Sequence, residues 1–275
     1  YNPTLFVAVR YASNLGATST NGTTWTSRTL PSTSGWYGLA SNGTTIVTVD
    51  SGGTTVARTT DGITWNTSTA PNAFSYPAIY GGGLFNALDN ARGQTSTDAI
   101  TWTARTVPSA SPGGWRYSAY GNSLWVAPTN ASNSVMTSSD AITWTKSSGV
   151  LPSTTNWQGI AYGNSTFVTM NSTDSAAATS TNGTTWTSRT SVGGAQQVQY
   201  INNTFVAIGN NSIQTSTDGI TWTSRTSPSA IHWEQVAGNS NIMVAVGYTT
   251  SNTAYSTNGG ANWSTGTLPS SGDWY

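Results

Sequence analysis

Few residues in this chain have reactive chemistry to offer. Its single histidine and single glutamate flank a tryptophan in His232-Trp233-Glu234. Residues two apart on a strand share a face, so this imidazole and carboxylate can meet. Such a pair can work as general acid and base, or it can be satisfied by its own hydrogen bond. No nucleophile or second carboxylate is identifiable nearby, so no residue receives a catalytic role. One histidine, no cysteine and no closely spaced carboxylate loop leave too few ligands for a metal site. No glycine-rich phosphate loop precedes a helix. Neither a metal nor a cofactor is expected.

The other charged groups are tied to a repeat. Asp61, Asp98, Asp140 and Asp218 lie in copies of one short turn, where an aspartate caps its own backbone. Arg28, Arg105, Arg189 and Arg225 share one repeated position. A column set by a repeat is separated by whole repeat units, so these guanidinium groups are not expected to converge on one ligand. The remaining candidates are aromatic. Trp36, Trp115, Trp157, Trp233 and Trp274 form a column in which Ser75 and Ala195 take the other two places. Replacement by such small residues predicts exposed ring edges, the alternative being tryptophans that plug the top of the blade interface. An exposed tryptophan beside Asn, Ser and Thr suits a sugar, whose apolar face stacks while its hydroxyls find polar partners. These five tryptophans, with His232 and Glu234, are the candidate ligand-binding residues.

The elements that position them follow from a motif present in seven copies: Ser19–Trp25, Thr59–Trp65, Ser96–Trp102, Ser138–Trp144, Ser180–Trp186, Ser216–Trp222 and Ser256–Trp263. Successive motif tryptophans are 40, 37, 42, 42, 36 and 41 residues apart. A period near 40 with strand-like content is the signature of propeller blades. In the repeat around residue 160, Trp157–Tyr162 reads as an inner strand, Gly163-Asn164-Ser165 as a turn and Phe167–Met170 as a second strand. A loop at 171–175 leads to a third strand at Ala176–Ser180, and a tight Asn-Gly hairpin leads to a fourth around Thr185-Trp186-Thr187. A proline often follows that fourth strand, as at Pro31, Pro152 and Pro269. The expected fold is all-β: a seven-bladed propeller of four-stranded antiparallel blades in one domain, 1–275.

The termini predict how the ring ends meet. Tyr1–Phe6 matches Tyr162–Phe167 in spacing, and Asp273-Trp274-Tyr275 matches the start of the inner strand at Asn156-Trp157-Gln158. The closing blade is therefore expected to be split between 1–28 and 271–275. Residues equivalent to Gly159-Ile160-Ala161 are missing at that seam, which predicts a piece of a longer polypeptide. Trp25, Trp65, Trp102, Trp144, Trp186, Trp222 and Trp263 are read as structural, filling the space between neighbouring sheets.

Composition narrows the partners. Charged residues make up 7% of the chain and the formal net charge is zero. That balance offers no basic footprint for nucleic acid. No apolar run is long enough for a membrane helix, so no membrane insertion is expected.

The motif resembles the Asp-box repeat of sialidases and related propellers, Ser-x-Asp-x-Gly-x-x-Trp. Ser256-Thr-Asn-Gly-Gly-Ala-Asn-Trp263 has that spacing, and the other six copies are one residue shorter. The short Ser-Thr-Asp-Gly-x-Thr-Trp form is similar to propellers of phage tail and bacterial surface proteins. The resemblance implies an extracellular or virion-associated protein. The sialidase machinery is not matched, because an arginine triad and a tyrosine–glutamate nucleophile pair cannot be assembled from these residues. Loops from strand four to one and from two to three share a face and vary in sequence, which is where binding sits on a rigid repeat. The expected function is a noncatalytic module recognising surface glycans through repeated shallow sites on that face. The alternative is a structural propeller docking another subunit of a virion or surface assembly, with a glycan-active enzyme third.

Overall fold

The computed structural model describes residues 5–111, 113–154 and 156–275. Seven antiparallel sheets follow one another along the chain, six of four strands and one of three. Each is a meander in sequence order, with the first strand of the sheet innermost and the last outermost. Blade 5 shows the pattern: Trp157–Gly163, Thr166–Asn171, Ala176–Ser180 and Thr187–Thr190 pair in sequence order. The second and third strands are buried on nearly every residue because each blade is packed on both faces. Outer strands such as Thr187–Thr190 are mostly exposed and rich in Thr and Ser, which blunts the sheet edge without apolar side chains.

In blades 3 to 6 the first-to-second-strand turns have positive φ at two successive residues, such as 46° at Asn164 and 58° at Ser165, as a two-residue type I′ hairpin requires. The connection between strands three and four is longer than the tight hairpin expected. In every blade the outermost strand starts one residue past the motif tryptophan, so six residues precede it in six blades, such as 60–65 between Thr59 and Asn66, and seven, 257–263, in blade 7. The turn is organised by side chains. Thr59 Oγ1 donates to Asp61 Oδ1 at 2.9 Å and accepts the Gly62 N–H at 2.8 Å. Asp61 Oδ1 then accepts the N–H groups of Ile63 and Thr64, both at 2.8 Å. Asn21 and Asn182 do the same work in their blades. These hydrogen bonds satisfy backbone donors that the sheet ladder cannot reach.

Two outer strands, Thr26–Ser34 and Ser264–Gly272, are nine residues long and run through their prolines instead of ending before them. An outermost strand needs no donor at that position. The three-stranded sheet is blade 1: Phe6–Val9, Ser13–Ser19 and Thr26–Ser34. Beside Phe6–Val9 lies the C-terminal segment. Val9 and Tyr275 exchange both backbone hydrogen bonds at 3.0 Å, and Arg10 bridges Trp274. Apolar contacts join the same two regions, with Ala8 and Ala17 packed in one cluster with Val246, Leu268 and Trp274. The expected match of Tyr1–Phe6 to Tyr162–Phe167 lies, for residues 1–4, outside the described residues.

Candidate functional site

The tryptophan column expected to stack on sugars is buried. Trp36, Trp115, Trp157, Trp233 and Trp274 are each 0% exposed, so they offer a ligand no ring face or edge. Their indole N–H groups point into the protein. Trp36 donates to Ser32 O, Trp115 to Pro108 O, Trp157 to Ser153 O and Trp274 to Ser270 O, at 2.8–3.0 Å, and Trp233 donates to Ser227 Oγ at 2.8 Å. Every acceptor lies late in the previous blade's outer strand or in the segment that follows it. These indoles therefore pin the crossover to the start of the inner strand, and stacking on a ligand is removed as their role. Small residues replace them where space is filled otherwise. In blade 3 the adjacent Phe74 is buried and meets Trp102 edge-on at 5.5 Å. In blade 6 the backbones of Ala195 and Gly209 approach so closely that a Cβ on Gly209 would meet Ala195 Cα at 3.2 Å.

The motif tryptophans are slightly less buried. Trp102, Trp144, Trp222 and Trp263 are 7–8% exposed, and Trp25, Trp65 and Trp186 are partly buried. They pack between blades: Trp25 of blade 1 lies against Ile242 and Val244 of blade 7. The four repeated arginines stay on separate blades. Each donates Nε to a threonine of its own third strand: Arg28 to Thr18, Arg105 to Thr95, Arg189 to Thr179 and Arg225 to Thr215, at 2.8–3.0 Å.

The site is formed by the residue that follows each column position. A strand alternates its faces, so burying Trp36 turns Tyr37 the other way, toward the axis. Tyr76, Arg116, Glu234 and Tyr275 lie near enough to act on or touch Tyr37, and Gln196 joins them through His232; Gln158 is the corresponding residue of blade 5. Bulges sharpen the arrangement. The pairing of first and second strands slips by one residue between Trp157 and Ile160, between Trp233 and Gln235, and between Tyr37 and Ala40. Each bulge lies at this end of an inner strand, where an extra residue re-aims a side chain.

Contacts across the axis show that these side chains converge. Tyr37 of blade 2 and Tyr117 of blade 4 bring their hydroxyls to 3.4 Å. The Tyr37 ring meets that of Tyr275 edge-on at 4.5 Å, and Tyr11 lies beyond it at 6.4 Å. Arg116 places its guanidinium over Tyr76, 5.5 Å from the ring centre. His232 Nε2 lies 2.9 Å from Glu234 Oε2 and 3.0 Å from Gln196 Oε1. Two acceptors on one ring nitrogen require that nitrogen to carry the proton. The Tyr248 ring stands edge-on to His232 at 5.9 Å. His232 and Glu234 thus meet as their spacing predicted, with Gln196 holding them from the next blade.

Burial raises the Tyr37 hydroxyl above its usual range, against the hydrogen bond from Tyr117, and Glu234 raises it further while Arg116 opposes. Burial holds Tyr117 well above that range, with Tyr37 and Glu234 adding to it. Tyr275 is likewise raised by burial first and by Glu234 next. All three phenols therefore stay protonated and can donate hydrogen bonds at any physiological pH.

Below this mouth lies an axial cavity of about 200 Å³ with walls from blades 2 to 7, including Leu39, Tyr80, Tyr117, Tyr162, Gln197 and Gln235. A second void of about 320 Å³ adjoins blades 6, 7 and 1, lined by Gln199, Gln235, Val246 and Tyr275 among others. The walls are phenols, amides and aliphatic groups. Among the described residues no cluster of His, Cys, Asp or Glu could hold a metal ion. The signal for this site was legible in the chain as a column that does not repeat (Tyr, Tyr, Arg, Gln, Gln, Glu, Tyr) beside one that does.

No protein-family profile matches the sequence, and no curated protein matches it. Solved structures do match by shape. YCF48 bound to D1 peptide aligns over 97% of this chain and 85% of its own, at 17% identity and a TM-score of 0.63. A catalytically inactive virginiamycin B lyase from Staphylococcus aureus, with quinupristin, aligns over 86% and 85% at 13% identity and a TM-score of 0.73. The computationally designed Ika8 protein aligns over 96% and 86% at 11% identity and a TM-score of 0.63. A binding protein, an enzyme and a design share this architecture, so these likenesses establish the fold and leave function to the site. The chain is an all-β, seven-bladed propeller with mostly four-stranded blades.

Proposed function

We propose that this propeller is a noncatalytic binding module for surface glycans, with its site at the mouth of the axial cavity. The observation that carries this reading is the non-repeating column Tyr37, Tyr76, Arg116, Gln158, Gln196, Glu234 and Tyr275, set on a scaffold that otherwise repeats. Five of the seven residues just before these positions are tryptophan, whereas the column itself mixes phenols, amides and both charges. Phenols and carboxamides suit saccharides, since aromatic rings cover the apolar faces of a sugar and amides pair with vicinal hydroxyls. Tyr11 and Tyr248, 38% and 42% exposed, extend the aromatic surface beyond the mouth. One axial site replaces the repeated shallow sites expected from the tryptophan column. Strong attachment would then come from several copies on one particle, in keeping with an extracellular or virion-associated role.

A specific observation favours a second reading, docking to another subunit of an assembly. Ile63, Ile100, Ile142 and Ile220 occupy the same place in four motif turns and are 43–54% exposed. They lie on the face opposite the mouth, so a docking surface there would be compatible with binding at the axis. The test is a glycan array probed with the protein displayed multivalently. Wild type should bind a restricted set of glycans, Tyr76→Ala should lose them, and Ile63→Ser should keep them. A blank array at high density would transfer the assignment to docking.

A further inference from the structure

We infer that the glycan bound at the axial mouth carries an oxyanion, a carboxylate or a sulfate ester, and that Arg116 holds it; this deepens the glycan reading and rests on it. Arg116 and Glu234 both act on the Tyr37 hydroxyl of the mouth, and they are not paired with each other. The described ion pairs join Arg92 to Asp89 and His232 to Glu234, and Arg116 belongs to neither. Its Nε is buried and has no hydrogen-bond partner among the described residues. The other buried arginine nitrogen without a partner, Arg58 Nη1, belongs to a third strand away from the axis. By contrast, all four repeated arginines find a threonine acceptor.

Arg116 is also held in place. Trp115 before it and Tyr117 after it are both buried, and the ring of Tyr76 lies beneath its guanidinium. A planar fork fixed over an aromatic ring, in no ion pair and with its Nε unpartnered, is preorganised for a carboxylate or sulfate on its Nη edge. Glu234 has an opposite assignment. It is taken up by His232, whose other partner is Gln196, and the two charges act on the Tyr37 hydroxyl in opposite senses. Glu234 therefore sets the side of the mouth that an anion avoids, so an acidic sugar can enter in only one orientation.

The test is a binding titration with an oligogalacturonate, its carboxyl-reduced neutral counterpart and a sulfated galactan oligosaccharide. The expected result is that at least one anionic oligosaccharide binds about tenfold or more tightly than the neutral one. The carboxylate and sulfate arms then identify which oxyanion is read. Arg116→Gln should abolish that difference, and Arg116→Lys should restore part of it. Glu234→Gln should tighten the anionic ligand. Equal binding of all three, or an anionic preference that survives Arg116→Gln, would overturn the assignment and leave the glycan reading standing. No binding to these three, with neutral glycans retained on an array, would overturn the inference alone. No binding to any glycan would overturn both.

Discussion

Replacing Trp157 with alanine separates a structural indole from a ligand-stacking one. The ring is fully buried and packs with Ile160, Phe167, Leu151 and Tyr117 across the junction of blades 4 and 5. Removing such a side chain from a core costs about 3–5 kcal/mol. Its Nε1 hydrogen bond to Ser153 O, at 3.0 Å, adds about 1 kcal/mol, since a buried carbonyl loses its partner. A chain of this size loses about 2–4 °C per kcal/mol, so the midpoint in differential scanning calorimetry should fall by roughly 10–20 °C. Trp157→Phe, which keeps most of the volume and loses only the N–H and one ring, should fall by less than half as much. At a temperature where Trp157→Ala is folded, its affinity for any bound glycan should match wild type. An unchanged midpoint with lost glycan affinity would refute the burial argument.

Three further outcomes follow from the same packing. An added Cβ on Gly121 would fall on the ring of Tyr162 from the next blade, which itself packs against Phe167; Gly121→Ala should therefore cost ~1–3 kcal/mol by chemical denaturation. Removing Trp274 and Tyr275 deletes a fully buried indole and the paired bonds to Val9, so the truncated chain should melt lower by about 10 °C or more. The carboxyls of Asp61, Asp98, Asp140 and Asp218 are held below their usual range, chiefly by the two backbone N–H groups each accepts. A depressed folded pKa gives stability that is complete above the unfolded value of about 4 and is lost as pH falls through the lower folded value. Replacing all four with asparagine should flatten the acid side of the stability curve while leaving the midpoint at pH 7 nearly unchanged, because Asn21 and Asn182 cap the same turn; these groups are exposed, so the shift should be small.

The fold was legible because it is written seven times. The spacing of the motif tryptophans gave the blade, and the alternation in Trp157–Tyr162 and Phe167–Met170 gave strands where they are found. The turns were less legible: Asp-Gly suggested a tight hairpin, but an Asx cap spanning six residues satisfies the backbone instead. The site was misread for a physical reason. Replacement of a tryptophan by Ser75 or Ala195 looked like freedom from packing, yet Phe74 and a close Ala195–Gly209 backbone approach fill those places. Sequence cannot reveal such compensation, since it comes from neighbours across the sheet. His232 and Glu234 were found from their spacing alone, while Tyr37, Tyr76, Arg116 and Gln196 were missed because only the axial arrangement brings different blades together. The periodicity did hold the information, since a strand that buries one residue must present the next.

The most direct test of an axial binding site is the crystal structure of the protein with an array-positive oligosaccharide. The account predicts density at the mouth, in contact with Tyr37, Tyr76 and Gln196 and with an oxyanion within hydrogen-bonding distance of Arg116. Sugar bound instead along the blade periphery or on the face bearing Ile63 and Ile100, with the mouth left to solvent, would contradict it.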